Sequence, residues 1–269
     1  YLDDRKIEVL SGELSESGWT LTDSTIQKLL LKLKSKGTPL GEYVDGKIFR
    51  GVLTGLNEAF VIDEETKERL IAEDANSEEI IKPFLAGRDI KRYQVPRPDK
   101  YLILFKNGDT RRWFGKIDEE LAFEKIKAQY PAIMNYLVAF KEKAEKRYDK
   151  GQYWWELRAC DYYDEFEKPK IIYPNICKRP EFTIDENEMF TNQKCFIITH
   201  FDYKLLAILN SKMTHFLFES ILPKLRGDFY EPSYLYFKDF PIINTQAKAI
   251  EKRNGNLLTL QNHSPATDT

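Results

Sequence analysis

The sequence predicts an α+β fold, a mixed sheet with packed helices. Strand-like apolar runs interleave with amphipathic helical stretches, without the regular βαβ rhythm that would give a parallel sheet. Tyr, Phe, Leu and Ile are plentiful beside Lys and Glu, the composition of a globular chain rather than a disordered or fibrous one. No internal repeat is visible, and 269 residues are enough for one large domain or two small ones with a proper core.

Ser24 to Lys36 carries Ile26, Leu29, Leu30 and Leu33 at helical spacing and stops at Gly37, so it reads as a helix with a glycine C-cap. Before it, "SGWTLT" looks like a strand or turn. Lys47 to Asp63 contains "IFRGVLTGLNEAFVID", a strand, a glycine turn and a second strand. Short helices are expected at Glu65 to Ala72 and Ser77 to Phe84. Lys100 to Phe105, "KYLILF", is an apolar run of strand length expected to be buried on both faces. Lys116 to Tyr148 is the longest helical region, divided at Pro131 because proline starts helices better than it continues them. Ile133, Leu137, Phe140 and Ala144 face a core, and the end "KEKAEKRYDK" reads as solvated. Lys170 to Pro174 and Cys195 to Thr199 are core strands. Asp202 caps a helix with an apolar stripe of Leu205, Leu209, Met213 and Phe216. Pro232 to Ile242 is turn plus strand. By domain, 1–40 is a connector with a helix, 41–242 the main domain and 243–269 a polar tail.

The chain opens on Tyr1 rather than Met, which reads as a piece of something longer. No apolar run reaches the length of a membrane span, so no membrane partner is expected. Cys160, Cys177 and Cys195 lack a C-x-x-C spacing, which suits a reducing cytoplasm and argues against structural zinc. His200, His215 and His263 are too far apart for a metal-ligand pair. The formal charge of −2 hides its distribution. Asp63 to Glu79 holds eight carboxylates against two cations; Ile80 to Arg112 holds nine cations against three carboxylates. Either run alone reads equally as an ordinary solvated face.

The two glycines of "GVLTG" could aim backbone amides at a phosphate. However, Leu56-Asn57 stands where a phosphate loop needs Lys and Ser/Thr, and no Gly-x-Gly occurs in the chain, so a tight turn is the better reading. Asp161, Asp164, Glu165 and Glu167 form a carboxylate cluster that could hold Mg²⁺ for a metal-dependent nuclease, or simply coat the surface. Pro98-Asp99 with Asp202-Tyr203-Lys204 is a poor imitation of a nuclease pattern. No Gly-x-Ser-x-Gly, S-adenosylmethionine loop or Pro-Pro-Tyr type motif is present, so no catalytic or metal residue is assigned. Trp154, Trp155, Tyr153, Tyr162 and Tyr163 lie near Arg158, Lys168 and Lys170, a pattern that serves either core packing or base stacking beside phosphate-holding cations.

Six segments in order, "IFRGVLTGLNEAFVID", "IKPFLAGRDIKRY", "WWELRACDYYDEFEKPKIIYPNI", "FTNQKCFIIT", "LLAILNSKMTHFLFE" and "YLYFKDFPI", resemble the TaqI-like C-terminal specificity domain over about Trp19 to Ile242. That family is the target-recognition part of adenine-specific DNA methyltransferases, including type IIG restriction-modification enzymes and related phage-defence methyltransferases. The resemblance implies that Gly51, Thr54, Gly55, Asn57, Trp155, Leu157, Arg158, the Pro169 to Ile172 stretch and Leu209 to Ser211 are scaffold. It implies a reader of double-stranded DNA without a cofactor of its own, partnered by an upstream methyltransferase domain of the same polypeptide that holds S-adenosylmethionine. Candidate DNA-contacting residues are Arg88, Lys91, Arg92, Arg111, Arg112, Arg158, Lys178, Arg179, Lys224 and Arg226. Arg111 and Arg112 are expected on an exposed loop after an Asn107-Gly108 turn. The type I restriction specificity subunit and the metal-dependent nuclease stand as alternatives.

Overall fold

A computed structural model describes residues 24–200 and 202–243, so "SGWTLT" and the tail beyond residue 243 lie outside the described residues. The chain begins with α1 (Ser24–Lys36), β1 (Thr38–Pro39), α2 (Leu40–Tyr43), β2 (Ile48–Arg50), α3 (Asn57–Phe60), β3 (Val61–Asp63), α4 (Glu64–Glu73) and α5 (Ser77–Ile80). Next come β4 (Ile81–Leu85), β5 (Lys100–Ile103), α6 (Asp109–Phe114), α7 (Glu119–Gln129), α8 (Pro131–Val138) and α9 (Lys141–Glu145). The second half holds β6 (Lys170–Pro174), β7 (Thr183–Asp185), β8 (Phe190–Thr191), β9 (Cys195–Ile198), α10 (Tyr203–Leu209) and α11 (Lys212–Ile221). It ends with β10 (Lys224–Leu225), β11 (Phe229–Tyr230), α12 (Tyr234–Phe237) and β12 (Pro241–Ile242).

The α+β class is observed: an antiparallel sheet of order β2-β9-β6-β7 and a mixed sheet of order β3-β5-β4-β8, in which only β4 and β8 run parallel. β6 and β9 are uninterrupted apolar runs because each strand face meets its own core. Ile172 pairs with Ile197 and both enter one core, with Phe60, Phe105, Trp154, Trp155 and Phe166. Ile171 pairs with Ile198, and Tyr173 with Phe196, whose rings stack at 5.5 Å; these four enter the other, with Leu205, Leu209, Phe218 and Phe237. Each fully buried Ile or Phe contributes about 1.5–3 kcal/mol. β1 pairs with β12, so the two ends of the region meet.

Several elements differ from expectation. Ser77 to Phe84 turns once as α5 and then becomes β4, because Ile81 to Phe84 finds its backbone partners on β5. The apolar stripe from Leu205 to Phe216 belongs to two helices: Asn210 and Ser211 break it, and Ser211 caps α11 by accepting from the Thr214 amide. Asp202 caps α10 and Pro131 opens α8, both as expected. Tyr234 to Phe237 is helical where a turn is expected. Gly37 follows α1 without a left-handed conformation.

The glycines Gly51 and Gly55 answer to two different constraints. Gly51 donates to the Cys195 carbonyl and lies so close to the neighbouring turn that an added Cβ would sit 1.9 Å from the Asn192 carbonyl oxygen. Gly55 instead adopts φ +70, with Arg147 and Asp149 beside it. Gly51→Ala is expected to lower stability by about 1–3 kcal/mol through forced backbone displacement. Gly55→Ala should cost only about 1–2 kcal/mol of left-handed strain. Urea unfolding midpoints of the two variants check the order.

"KEKAEKRYDK" is not wholly solvated. Arg147 is buried and donates to the carbonyls of Ala144, Thr54, Trp154 and Glu156, with Phe60 4.4 Å beneath its guanidinium. Burial lowers its pKa to about 10. Nearby, the buried Glu156 carboxylate accepts the amides of Gly108, Thr110 and Gln152, closing the start of α6. These bonds hold the glycine turn to the helical layer.

Candidate nucleic-acid interface

A cleft of about 730 Å³ opens where the two sheets meet. Its walls are the segment leaving β4, which passes through a turn closed by Asp89 accepting the Ala86 amide, and the segment leaving β6. The sequence places Arg88 and Lys91 on the first wall and Lys178 and Arg179 on the second, with Lys194 completing the rim; Glu181 is the carboxylate among them. Pro174, Ile176 and Phe229 supply apolar lining. A second cleft of about 410 Å³ contains Arg50, Arg158, Tyr162 and Gln193, with Asp161 as its carboxylate. The turn of residues 192–194 separates the two, with Asn192 and Lys194 lining the larger and Gln193 the smaller.

All ten candidate cations are exposed. Arg88 lies 3.5 Å from Asp89, Arg179 3.7 Å from Glu181, and Lys178 sits 5.0 Å above the Phe229 ring. Such exposed, long pairs are worth about 0–1 kcal/mol and yield readily to a phosphate. Lys91, Lys194 and Arg226 carry no ion pair among the described residues. Lys224 and Arg226 belong to the β10–β11 hairpin, which is tied to the larger cleft by the Cys177 and Tyr230 backbones and by Phe229; Lys224 pairs with Asp228 at 2.9 Å. Arg92 rests over the Tyr93 ring beside Lys91, and Arg158 in the smaller cleft is 3.6 Å from Asp149.

Arg111 and Arg112 are not on a loop. Glu156 and the left-handed Gly108 start α6 there, and Arg112 pairs back to Asp109 at 2.9 Å. Neither lines either cleft. Conversely, Arg50, Gln193 and Lys194 went unremarked in the sequence. Their only local sign was position, one cation before Gly51 and a polar triplet between two apolar strands.

The aromatic cluster is mostly core. Trp154, Trp155 and Tyr163 are buried, and Lys170 is fully buried with its ammonium 2.5 Å from Asp185. It contacts no solvent and holds no phosphate. The carboxylates are committed to protein partners: Asp164 and Glu167 share Lys106 at 2.7 and 3.0 Å, while Glu165 takes Lys168 and the Thr199 hydroxyl. Lys106 holds the Asp164 carboxyl below its ordinary range. Asp202 accepts from Tyr43 and from the amides that start α10. Among the described residues, no three His, Cys, Asp or Glu side chains form a group able to hold a metal ion. No helix among them is long and apolar enough to cross a membrane.

The chain is similar to the type II methyltransferase M.MjaIV of Methanocaldococcus jannaschii, at 26% identity over 176 residues, which are 61% of this chain and 54% of that protein. It thus spans about half the length of this curated relative. Its fold is similar to that of the type IIL restriction-modification enzyme MmeI, solved in complex with DNA, at a TM-score of 0.53 and 13% identity over 81% of this chain and 28% of that one. The type IIG restriction endonuclease BpuSI is similar at a TM-score of 0.51 and 13% identity, over 89% of this chain and 28% of that one. The family described as the TaqI-like C-terminal specificity domain matches residues 82–242, well over half of the chain and through every wall of the larger cleft. With β6 and β9 as the double-faced centre of one sheet and the expected segments in the expected order, the chain belongs to the family of TaqI-like C-terminal specificity domains.

Proposed function

We propose that the chain is the DNA target-recognition domain of a site-specific adenine-N6 DNA methyltransferase of a restriction-modification or phage-defence system, acting in the cytoplasm. The observation that carries this is the pair of basic clefts on either side of one turn. Cations from segments some ninety residues apart, Arg88 and Lys91 with Lys178 and Arg179, converge on a single concave surface. Phosphates fix a protein's register on the duplex, and side chains between the phosphate contacts read base edges. Arg50 and Arg158 supply the second set of phosphate contacts.

The catalytic work belongs to an upstream domain of the same polypeptide. That domain binds S-adenosylmethionine and receives the target adenine once it leaves the stack. This chain contributes position: it selects the sequence and holds the duplex while its partner domain grips the rest. Alone it is therefore expected to bind duplex DNA weakly and to transfer no methyl group.

The test is base-resolved methylation mapping of DNA from cells expressing the full-length parent. N6-methyladenine at one short recurring sequence is expected. Methylation of cytosine instead, or adenine methylation scattered without a common sequence, contradicts the proposal.

A further inference from the structure

β8 ends at the buried Thr191 and β9 begins at the buried Cys195, leaving three residues to make the turn between the clefts. The backbone of that turn is held from all sides. The Asn192 amide donates to the Leu85 carbonyl, and its own carbonyl accepts the Cys195 amide. The Gln193 carbonyl accepts Arg50 Nε at 3.0 Å, and the Lys194 carbonyl accepts the Asn175 amide at 2.7 Å. The Asn192 side chain folds back onto the Lys194 amide. Gly51 and Gly87 press against it with no Cβ between. Three segments, the ends of β2, β4 and β6, thus fix three residues, the kind of rigid support that a recognition group requires.

The side chain of Gln193 takes no part in this support. It is half-buried, bonds to nothing among the described residues, and belongs to a residue that lines the smaller cleft with Arg50 and Arg158. An uncommitted amide on a fixed backbone, flanked by cations able to hold phosphates, has one acceptor and two donors to offer. That is the complement of the N6 donor and N7 acceptor of adenine in the major groove.

We propose that Gln193 is a specificity-determining residue that reads an adenine edge in the target, from a turn held rigid by Arg50, Asn175 and Leu85. This rests on the reading of the chain as a DNA target-recognition domain. Gln193 is neutral, so its role is separable from that of the phosphate-holding cations: its loss relaxes one base position and leaves the rest of the sequence preference intact.

The experiment uses the full-length parent, with its target first read from the methylation map, in competition binding against duplexes that each carry one changed base pair. The wild type is expected to reject a change at one particular adenine by roughly ten- to a hundredfold. Gln193→Ala should lose that discrimination and keep it at every other position. Gln193→Glu, matched in size, should prefer cytosine at the same position, because a carboxylate accepts from its N4 amine. If Gln193→Ala keeps the full pattern of discrimination, or weakens binding to all duplexes equally, the assignment of Gln193 is overturned while the target-recognition reading stands. If the wild type itself shows no preference among the duplexes, that reading fails and the Gln193 assignment falls with it.

Discussion

Replacing Asp185 by Ala lowers the stability of the chain by about 3–5 kcal/mol, the cost of leaving a buried charge without its partner. Lys170 opens β6 and Asp185 closes β7, and the two residues stand opposite each other in the antiparallel register, fully buried with Nζ and Oδ2 2.5 Å apart. The pair is further supplied: Lys170 donates to the Phe166 and Lys168 carbonyls, and Asp185 accepts the amides of Asn187 and Met189. Burial pushes the Lys170 pKa down, and the Asp185 charge opposes that push. Removing the carboxylate strands the ammonium and frees two amides at the edge of the sheet. Replacing both partners with apolar residues of similar size should cost far less than Asp185→Ala, since desolvating two charges offsets much of their attraction. Urea denaturation of the single and double variants measures both. A loss below about 1 kcal/mol for Asp185→Ala would show that the pair is solvated in solution.

The second large effect concerns the clefts. If Arg88, Lys91, Lys178 and Arg179 each hold a phosphate as proposed, changing all four to Ala in the full-length parent should make the plot of log affinity against log salt shallower by roughly 3.6 units. Referred to 1 M salt, that is about a thousandfold weaker binding at 0.15 M. The loss should be the same on target and scrambled duplexes, because phosphates carry no sequence. Arg111→Ala with Arg112→Ala serves as the control. On α6, outside both clefts and with Arg112 already paired to Asp109, this double change should leave slope and affinity unaltered. Titrations at several salt concentrations decide it, and a slope that falls only with the α6 double variant would move the DNA face from the clefts to α6.

What the sequence disclosed and what it hid follow one physical division. β6 and β9 were legible because burial on both faces leaves an uninterrupted apolar run, and Pro131 and Asp202 because a helix start is local chemistry. The break at Asn210 was not, since its amide holds both the Phe182 amide and carbonyl across 28 positions of sequence while the apolar period runs on past it. Lys170 looked like a surface cation for the same reason: nothing near it in sequence announces Asp185 across the β6–β7 pairing. Arg147 was hidden in a run of solvated charges, and only the converging carbonyls of Thr54, Trp154 and Glu156 explain its burial. The same holds for the clefts. Arg88, Lys91, Lys178 and Arg179 are visible in the sequence as cations, yet their convergence depends on the contact between β4 and the β8–β9 turn, which only the folded chain displays.

On the proposed reading, this region chooses the DNA sequence that its parent modifies. β1 and β12 bring residues 38 and 242 side by side, so the region can be exchanged as a unit between them. The direct measurement is a hybrid of the full-length parent in which residues 38–242 are replaced by the corresponding region of a family member with a different target, followed by base-resolved methylation mapping. The hybrid is expected to methylate the donor's sequence. A hybrid that is active but still methylates the parent's own sequence would contradict the target-recognition reading.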